Sequence, residues 1–313
     1  MRRAGRVLAA ALTVAALLFA GRAIAGQWRA FRATGAGVQL HWDTLALSAL
    51  VVVGAYAVLI ETWRRTVERW GARLAWGDAA RIWFISNLGR YLPGKVWQVG
   101  AMGAMAHARG VSPVAATGSA IVINLVNLVA GAGVVAACGV ELLPLPIPIG
   151  AVAALLGLAL ALLPWIVRLA AAGAARLLRR PVDLPALPAG ALWIAAFGCT
   201  VAWLLYGIGF RLLVAGVLGE APGALRAYVA AFTGSYVVGY IVLFAPGGIG
   251  VREGSLLAAL GRLGLAAGGA AGVIAVASRL WLTVLELLPG LALLLVDLLR
   301  RRPPSSRPDA PNA

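Results

Sequence analysis

Residues 87–98 read NLGRYLPGKVWQ, and residues 244–254 read FAPGGIGVREG. Each stretch places a Pro-Gly pair inside a long apolar region and has ionisable residues after the pair. Proline removes a backbone donor and clashes with the preceding turn, so both pairs predict a broken helix. Backbone groups freed at membrane depth need protein or water around them, because lipid cannot hydrogen-bond to them. A matched pair of breaks therefore predicts a binding site inside a membrane.

The composition is that of an integral membrane protein. Of the 313 residues, 62% are hydrophobic and 12% are charged, whereas soluble domains carry about 25% charged residues. Two apolar stretches, about 79–108 and 225–264, contain the breaks and are too long for one straight crossing. Continuous spans, each near the ~20 residues that cross a bilayer, are predicted at about 7–26, 44–62, 114–139, 147–167, 190–216 and 270–298.

The first span has a second interpretation. Three arginines among the first six residues precede an apolar run that ends in Ala23-Ile24-Ala25, a pattern typical of a signal-peptidase site. We favour an uncleaved first helix over removal of residues 1–25. The chain emerges outside the cell after this segment in both cases, so the threading of the later spans is the same.

The formal net charge is +16, and the basic residues cluster between apolar runs. This pattern indicates cytoplasmic loops near anionic headgroups and not a nucleic-acid partner. If both broken stretches crossed the membrane fully, the cluster at residues 168–180 would lie outside. If both return to the side from which they start, every basic cluster and both termini lie inside. The clusters are Arg64, Arg65, Arg69, Arg73 and Arg81; Arg168, Arg176, Arg179 and Arg180; and Arg300, Arg301, Arg302 and Arg307.

We therefore predict an all-α integral membrane fold with about six full transmembrane helices and two re-entrant broken-helix hairpins. The spans form a single polytopic domain over residues 1–302, and residues 303–313 are predicted to be a disordered tail. The halves at about 44–139 and 190–298 would be inverted-topology repeats, because their hairpins enter from opposite sides. In transporters with such repeats, substrate binds at the repeat interface.

Ionisable residues beside both breaks define the candidate site, since charge at membrane depth usually pairs, reaches water or serves function. We predict that Arg90, Lys95 and Arg252 hold a lipid phosphate in a cationic midplane cavity, aided by helix N-termini after each break. The structural alternatives are snorkelling to an interface and an Arg252–Glu253 pair that satisfies the loop. The wider substrate-binding set adds Asn87, Tyr91, Glu253, Arg279 and Glu286, and the break residues are Pro93, Gly94, Pro246, Gly247 and Gly248.

Polar residues inside the spans give two packing predictions. Arg279 and Glu286 are seven residues apart, so they share one helical face that should turn away from lipid. Either mutual neutralisation or a role in a translocation path would explain them. Asn124 and Asn127 are one turn apart, and such asparagines join helices more often than they bind ligands.

Small residues and tryptophans give two further predictions. Two series of small residues predict close helix packing around the second hairpin: Gly250 with Gly254, and Gly264, Gly268 and Gly272. Five tryptophans near span ends are predicted to be interfacial anchors: Trp28, Trp42, Trp63, Trp70 and Trp76.

No motif in this sequence indicates a disulfide, a metal site or a bound cofactor. Cys138 and Cys199 lie in apolar segments and are predicted to be buried thiols, and no Cys, His and Asp cluster has metal-ligand spacing. We predict neither a metal nor a cofactor nor a catalytic residue. An intramembrane enzyme acting on lipid-linked sugars would need a general acid or base, for which Glu253 and Glu286 are the candidates.

The two break motifs together resemble the signatures of the lysylphosphatidylglycerol synthase transmembrane region family, also called flippase-like. The resemblance covers about residues 7–298, and Arg90, Lys95, Arg252, Glu253 and Arg279 match positions of the family pattern. It implies a multi-pass bacterial or archaeal inner-membrane protein that moves lipids between leaflets. The best-known members move aminoacylated phosphatidylglycerol, and relatives are linked to polyprenyl-phosphate sugars or other glycerophospholipids.

The cytoplasmic aminoacyl-transfer domain of the full-length synthases has no counterpart after Arg302. We therefore expect a lipid translocator and not an enzyme, with anionic or phosphate-bearing membrane lipids and a separately encoded synthase as partners. The alternative is a non-transporting membrane scaffold for a separate lipid- or glycan-modifying enzyme. Both termini are expected in the cytoplasm.

Overall fold

The computed structural model describes residues 40–91, 96–139, 189–241 and 250–300, with scattered single positions elsewhere and without the side chains of residues 90, 91, 96 and 297–300. This part of the chain is all-α and contains eight helices. The helices are α1 (Trp42–Arg69), α2 (Trp76–Asn87), α3 (Val96–His107), α4 (Pro113–Cys138), α5 (Ala189–Leu218), α6 (Leu225–Ile241), α7 (Val251–Arg262) and α8 (Gly268–Arg300). The predicted break residues, the tail and the predicted spans 7–26 and 147–167 lie outside the described residues.

Four helices are long and apolar enough to cross a membrane: α1, α4, α5 and residues 268–296 of α8. They coincide with the predicted spans 44–62, 114–139, 190–216 and 270–298. The shortest of them has 26 residues, or about 39 Å at 1.5 Å per residue, which exceeds a ~30 Å hydrocarbon core. The prediction of an all-α fold with helices able to span a membrane is thereby confirmed for the described residues.

The same order of helix lengths occurs twice. Long α1 is followed by α2 and α3, of 12 residues each, and then by long α4. Long α5 is followed by α6 of 17 residues, α7 of 12 residues and long α8. A 3₁₀ turn at Leu88–Tyr91 ends α2 where the first Pro-Gly pair follows in the sequence. The two breaks thus separate the short helices in each set.

Both pairs of short helices fold back on themselves. Asp78, in the first turn of α2, forms an ion pair with Arg109, which follows α3. Gly223, before α6, lies so close to Leu265, after α7, that a Cβ on the glycine would be 3.0 Å from the leucine Cδ2. The chain therefore enters and leaves each pair at one end.

Helices α1 and α5 run antiparallel along their whole length. The backbone N–H of His41 donates to the carbonyl of Gly216 at 2.9 Å, and Ser48 Oγ donates to the carbonyl of Gly209 at 2.7 Å. At the other end, Gly190 lies beside the Arg69 guanidinium. Because α2 follows the end of α1 and α6 follows the end of α5, the two pairs open at opposite ends of the bundle.

Glycines on α5 allow this helix to pack closely against both α1 and α6. A Cβ at Gly198 would overlap the Thr62 side chain, and one at Gly207 would overlap Val229. The predicted small-residue series does not act this way: among the described residues, nothing lies within 4 Å of a Cβ added at Gly250, Gly254, Gly264, Gly268 or Gly272. That prediction is wrong, because spacing alone does not say which face meets a neighbour.

The tryptophans divide into two groups. Trp42 and Trp76 begin helices and are 71% and 50% exposed, as expected of anchors. Trp63 is fully buried and donates from Nε1 to Ser119 Oγ at 3.2 Å, so its prediction as an anchor is wrong. Trp70 is partly buried, and Trp28 lies outside the described residues. Cys138 and Cys199 are free thiols, and Cys199 is buried as predicted, whereas Cys138 is only half-buried.

Candidate functional site

A narrow polar cavity lies among seven of the helices, with an empty volume of about 450 Å³. We call it the amide cavity, because four of its lining residues carry side-chain amides: Asn87 of α2, Gln98 of α3, and Asn124 and Asn127 of α4. Its lining residues are Tyr56, Leu59, Trp83, Asn87, Gln98, Ile123, Asn124, Asn127, Trp203, Tyr206, Tyr236 and Glu286.

Two amides at the first break form one wall. Gln98 Nε2 donates to Asn87 Oδ1 at 2.5 Å, and both side chains are buried. Gly89 permits this contact, because a Cβ there would lie 2.9 Å from the backbone nitrogen of Gln98. The end of α2 is thereby fixed against the start of α3. Asn87 was predicted as a site residue and lines the cavity.

Two amides of α4 form a second wall. Asn124 Nδ2 donates to the Ala120 carbonyl at 2.8 Å, and Tyr240 Oη donates to Asn124 Oδ1 at 3.1 Å. The carbonyl of Asn127 accepts a hydrogen bond from Trp203 Nε1 at 2.9 Å. The Asn124 side chain therefore joins α4 to α6, as predicted for asparagine in a membrane helix, whereas Asn127 joins α4 to α5 through its main-chain carbonyl. Both residues also line the cavity.

Aromatic rings close the remaining sides. Tyr206 lies between Tyr56 and Trp203, with ring centroids 5.8 Å from each, and Trp203 meets Tyr236 edge-on at 5.2 Å. Trp83 Nε1 is buried and has no hydrogen-bond partner among the described residues. Leaving a buried donor unpaired costs about 1–3 kcal/mol. A polar ligand or water in the cavity would satisfy it.

Arg252 adjoins the cavity from behind one of these rings. Its Cζ lies 5.0 Å from the Tyr236 ring and 5.2 Å from the Phe232 ring, and the residue is 7% exposed. Guanidinium groups are attracted to aromatic faces, most strongly where water is excluded. Its Nη2 atom has no hydrogen-bond partner in the described part of the chain. Arg252 is thus a buried cation with one donor available to an anion.

Glu253 is held by two contacts at the start of α7. Its Oε2 accepts a hydrogen bond from the Gly250 backbone at 2.6 Å, and its Oε1 lies 3.4 Å from Arg279 Nη1. The carboxylate thereby caps the positive N-terminal end of α7. Among the ion pairs of the described residues, Glu253 pairs with Arg279 and not with Arg252. The structural alternative of an Arg252–Glu253 pair is therefore wrong, because adjacent helical side chains point in different directions.

Arg279 and Glu286 are buried, 6% and 7% exposed, as their shared face predicted. Glu286 lines the amide cavity, and it is the charged residue among the twelve lining residues given above. It also lies close enough to act electrostatically on Arg252. The described lining therefore carries a carboxylate, and the Arg252 guanidinium stands against the Tyr236 ring of the same lining.

The structure describes the remaining predicted site residues only in part or not at all. Arg90 and Tyr91 belong to the 3₁₀ turn Leu88–Tyr91, without described side chains. Lys95 lies outside the described residues, as do the five predicted break residues Pro93, Gly94, Pro246, Gly247 and Gly248.

Sequence reasoning missed most of the cavity wall. Gln98 stands inside the first break motif and was not singled out. The signal for Tyr56 and Tyr206 was their place in the middle of spans, since tyrosine otherwise favours the two interfaces. Trp83, Trp203 and Tyr236 come from three different helices, and only the fold brings them together.

No model of a known family matches this chain, and no curated protein is similar to it. In the described part of the chain, His, Cys, Asp and Glu form no group of three that could hold a metal ion.

Proposed function

We propose that this protein is a lipid translocator that moves an anionic or phosphate-bearing lipid between membrane leaflets. The amide cavity carries this proposal. Lipid hydrocarbon offers no hydrogen bonds, so a polar headgroup crosses it only along a path that supplies them. Amides, tyrosines and an unpaired indole donor surrounded by spanning helices provide such a path. The resemblance of the break motifs to the flippase-like family agrees with this function.

The helix lengths support two re-entrant hairpins. Helices α2, α3 and α7 each have 12 residues, or about 18 Å, which is too short for a ~30 Å core. Each pair of short helices enters and leaves at one end, and the two pairs open at opposite ends of the bundle. In this proposal each hairpin dips into the membrane from its own side. The amide wall of the first hairpin then lies inside the bilayer.

The antiparallel contact of α1 with α5 supports inverted repeats. These helices occupy the same place in the two sets, and a two-fold axis in the membrane plane relates equivalent helices in opposite directions. Transporters with this arrangement bind substrate near the midplane and alternate access by rocking one half against the other. The same motion would expose the amide cavity to each leaflet in turn.

Charge supports one orientation in the cell membrane. The last turns of α1 carry Arg64 and Arg65, which pair with Glu61, and further arginines follow before α2. By the positive-inside rule, this end of the bundle faces the cytoplasm. The first hairpin would then open to the cytoplasm and the second to the outside.

Three cations are proposed to bind the lipid phosphate: Arg90, Lys95 and Arg252. Arg90 and Lys95 stand within three residues of Asn87 and Gln98 in the sequence, whose side chains form the cavity wall. The unpaired Nη2 of Arg252 supplies a further donor. Glu286 offsets part of this positive charge, so that the headgroup is released as well as bound.

The test is lipid transfer in proteoliposomes that contain a fluorescent anionic phospholipid, with an impermeant quencher outside. The wild type should make the inner-leaflet probe accessible to the quencher. Lys95→Ala combined with Arg252→Gln should slow transfer about tenfold or more, since charge-assisted hydrogen bonds contribute about 1.5–3 kcal/mol each. The exposed pair Arg65→Ala and Arg73→Gln serves as the control. Wild-type rates in the Lys95 and Arg252 double variant would contradict the proposed site.

A further inference from the structure

A second space lies beside the amide cavity, along the contact between α4 and α5. We call it the α4–α5 groove. Its empty volume is about 690 Å³, and its lining is almost entirely apolar. It is lined by Ala130, Ala137 and Cys138 of α4 and by Ala196, Thr200 and Leu204 of α5, among others. Small side chains predominate, so the two helices leave an open channel between them.

The groove and the cavity meet at Trp203 and Asn127. Both residues line the amide cavity, whereas Thr200, Leu204 and Ala130, within one helical turn of them, line the groove. The indole N–H of Trp203 donates to the Asn127 carbonyl at 2.9 Å and so bridges α5 and α4 at this boundary. The Trp203–Asn127 hydrogen bond therefore lies where the lining of α4 and α5 changes from the polar space to the apolar one.

A glycine lets the indole occupy this position. A Cβ at Gly131 would lie 3.1 Å from Trp203 Nε1 and 2.8 Å from Val237 Cγ2. Real Cβ atoms are seldom so close to a neighbour, so a larger residue would displace the ring. The boundary is thus built from Trp203, the Asn127 carbonyl and the space that Gly131 leaves.

The length of the groove matches one leaflet. The first and last lining residues on α4, Val129 and Cys138, are nine residues apart, which corresponds to about 14 Å. This is close to half of a ~30 Å hydrocarbon core. Both helices are long and apolar enough to span a membrane, and in a bilayer an apolar groove of this length would accommodate hydrocarbon from one leaflet.

We propose that the α4–α5 groove holds an acyl chain of the lipid whose headgroup occupies the amide cavity, and that Trp203 gates the passage between them. This inference rests on the proposed function and adds a route and a gate to it. A molecule with a polar end and a long apolar tail fits the two adjoining spaces at once. A helix of a partner protein would fill the groove but would have no polar end to place in the cavity.

The first test locates the acyl chain. A phospholipid with a photoreactive diazirine in one acyl chain is reconstituted with the protein, irradiated, and its adducts are mapped by mass spectrometry. Adducts are expected on the groove-lining parts of α4 and α5. Ala137→Phe, which adds bulk at an exposed lining position, should remove them. Ala132→Phe, on the same helix, exposed and not among the lining residues, should leave them unchanged.

The second test addresses the gate. Trp203→Phe keeps an aromatic ring and removes the N–H that binds the Asn127 carbonyl. Lipid transfer in proteoliposomes should become faster, whereas a ring that served packing alone would give the wild-type rate. An unchanged or slower rate in folded Trp203→Phe would overturn the gate.

The outcomes separate this inference from the proposed function. Loss of the groove adducts in Ala137→Phe supports the acyl site, even if the wild type transfers no lipid and the translocator proposal fails. Wild-type transfer with equal adducts in Ala137→Phe and the parent overturns the acyl site and leaves translocation standing. Crosslinks from groove residues to another segment of this chain or to a second protein, in place of lipid, also overturn it.

Discussion

Asn87 and Gln98 show how single residues determine the site. Their amides are buried together where α2 ends and α3 begins, and a buried amide needs a partner because water is absent. Each of the two amides therefore depends on the other for a hydrogen bond. The contact fixes the two arms of the first hairpin and presents the remaining amide atoms to the cavity.

Asn87→Leu should lower the free energy of unfolding by about 1–3 kcal/mol, because it leaves the Gln98 amide buried without this partner. The double variant Asn87→Leu/Gln98→Leu should be more stable than the sum of the single effects predicts. A double-mutant cycle on reversible unfolding in detergent measures this coupling. Additive effects of the two substitutions would show that the amide contact contributes nothing.

Arg252 and Trp63 mark the limit of prediction from single residues. The sequence predicts that a charge at membrane depth has a function or a partner, and Arg252 has partners in the Phe232 and Tyr236 rings. The sequence did not predict aromatic partners, because both belong to another helix. Trp63 likewise stands where an interfacial anchor would stand, but it packs inward against Ser119.

At the scale of helices, the contact between α1 and α5 depends on glycines at the points of closest approach. Gly198 and Gly216 lie against Thr62 and Leu45 respectively. A Cβ added at a glycine after the second break, such as Gly254, would meet no other described residue within 4 Å. Glycine in a membrane helix therefore indicates close packing only on a face that meets a neighbour.

Gly198→Ala should destabilise the protein by about 1–3 kcal/mol, because the new methyl group overlaps the Thr62 side chain. Gly254→Ala, in open space within a helix, should be neutral or stabilising by up to about 1 kcal/mol. Thermal unfolding of both purified variants gives the comparison. Equal stability of the two variants would contradict the packing described for α1 and α5.

Helix positions were largely predictable, since hydropathy and length are local properties. The spans expected at 44–62 and 190–216 correspond to α1 and α5, which extend further at their ends. The Pro-Gly pairs correctly divided each remaining apolar stretch into two short helices. Helical faces were not predictable, because a nearly uniform apolar helix has no periodic signal to orient it.

At the scale of the whole molecule, two sets of four helices build one polar cavity. Its lining comes from α1 to α6 and from α8, so residues as far apart as Tyr56 and Glu286 meet there. No local pattern could predict this set of residues. The sequence did predict where polar groups would gather, because a broken helix in a membrane requires them.

The most direct test is the sidedness of the two hairpins in intact cells. Gly77, in the first turn of α2, and Gly261, in the last turn of α7, are exposed and have room for a side chain. Single variants Gly77→Cys and Gly261→Cys are treated with a membrane-impermeant maleimide before and after permeabilisation. The parent protein serves as the blank, since Cys199 is buried and Cys138 lies in a spanning helix. Labelling of Gly261→Cys in intact cells, and of Gly77→Cys only after permeabilisation, is the predicted result; labelling of both positions from the same side would contradict the opposed hairpins.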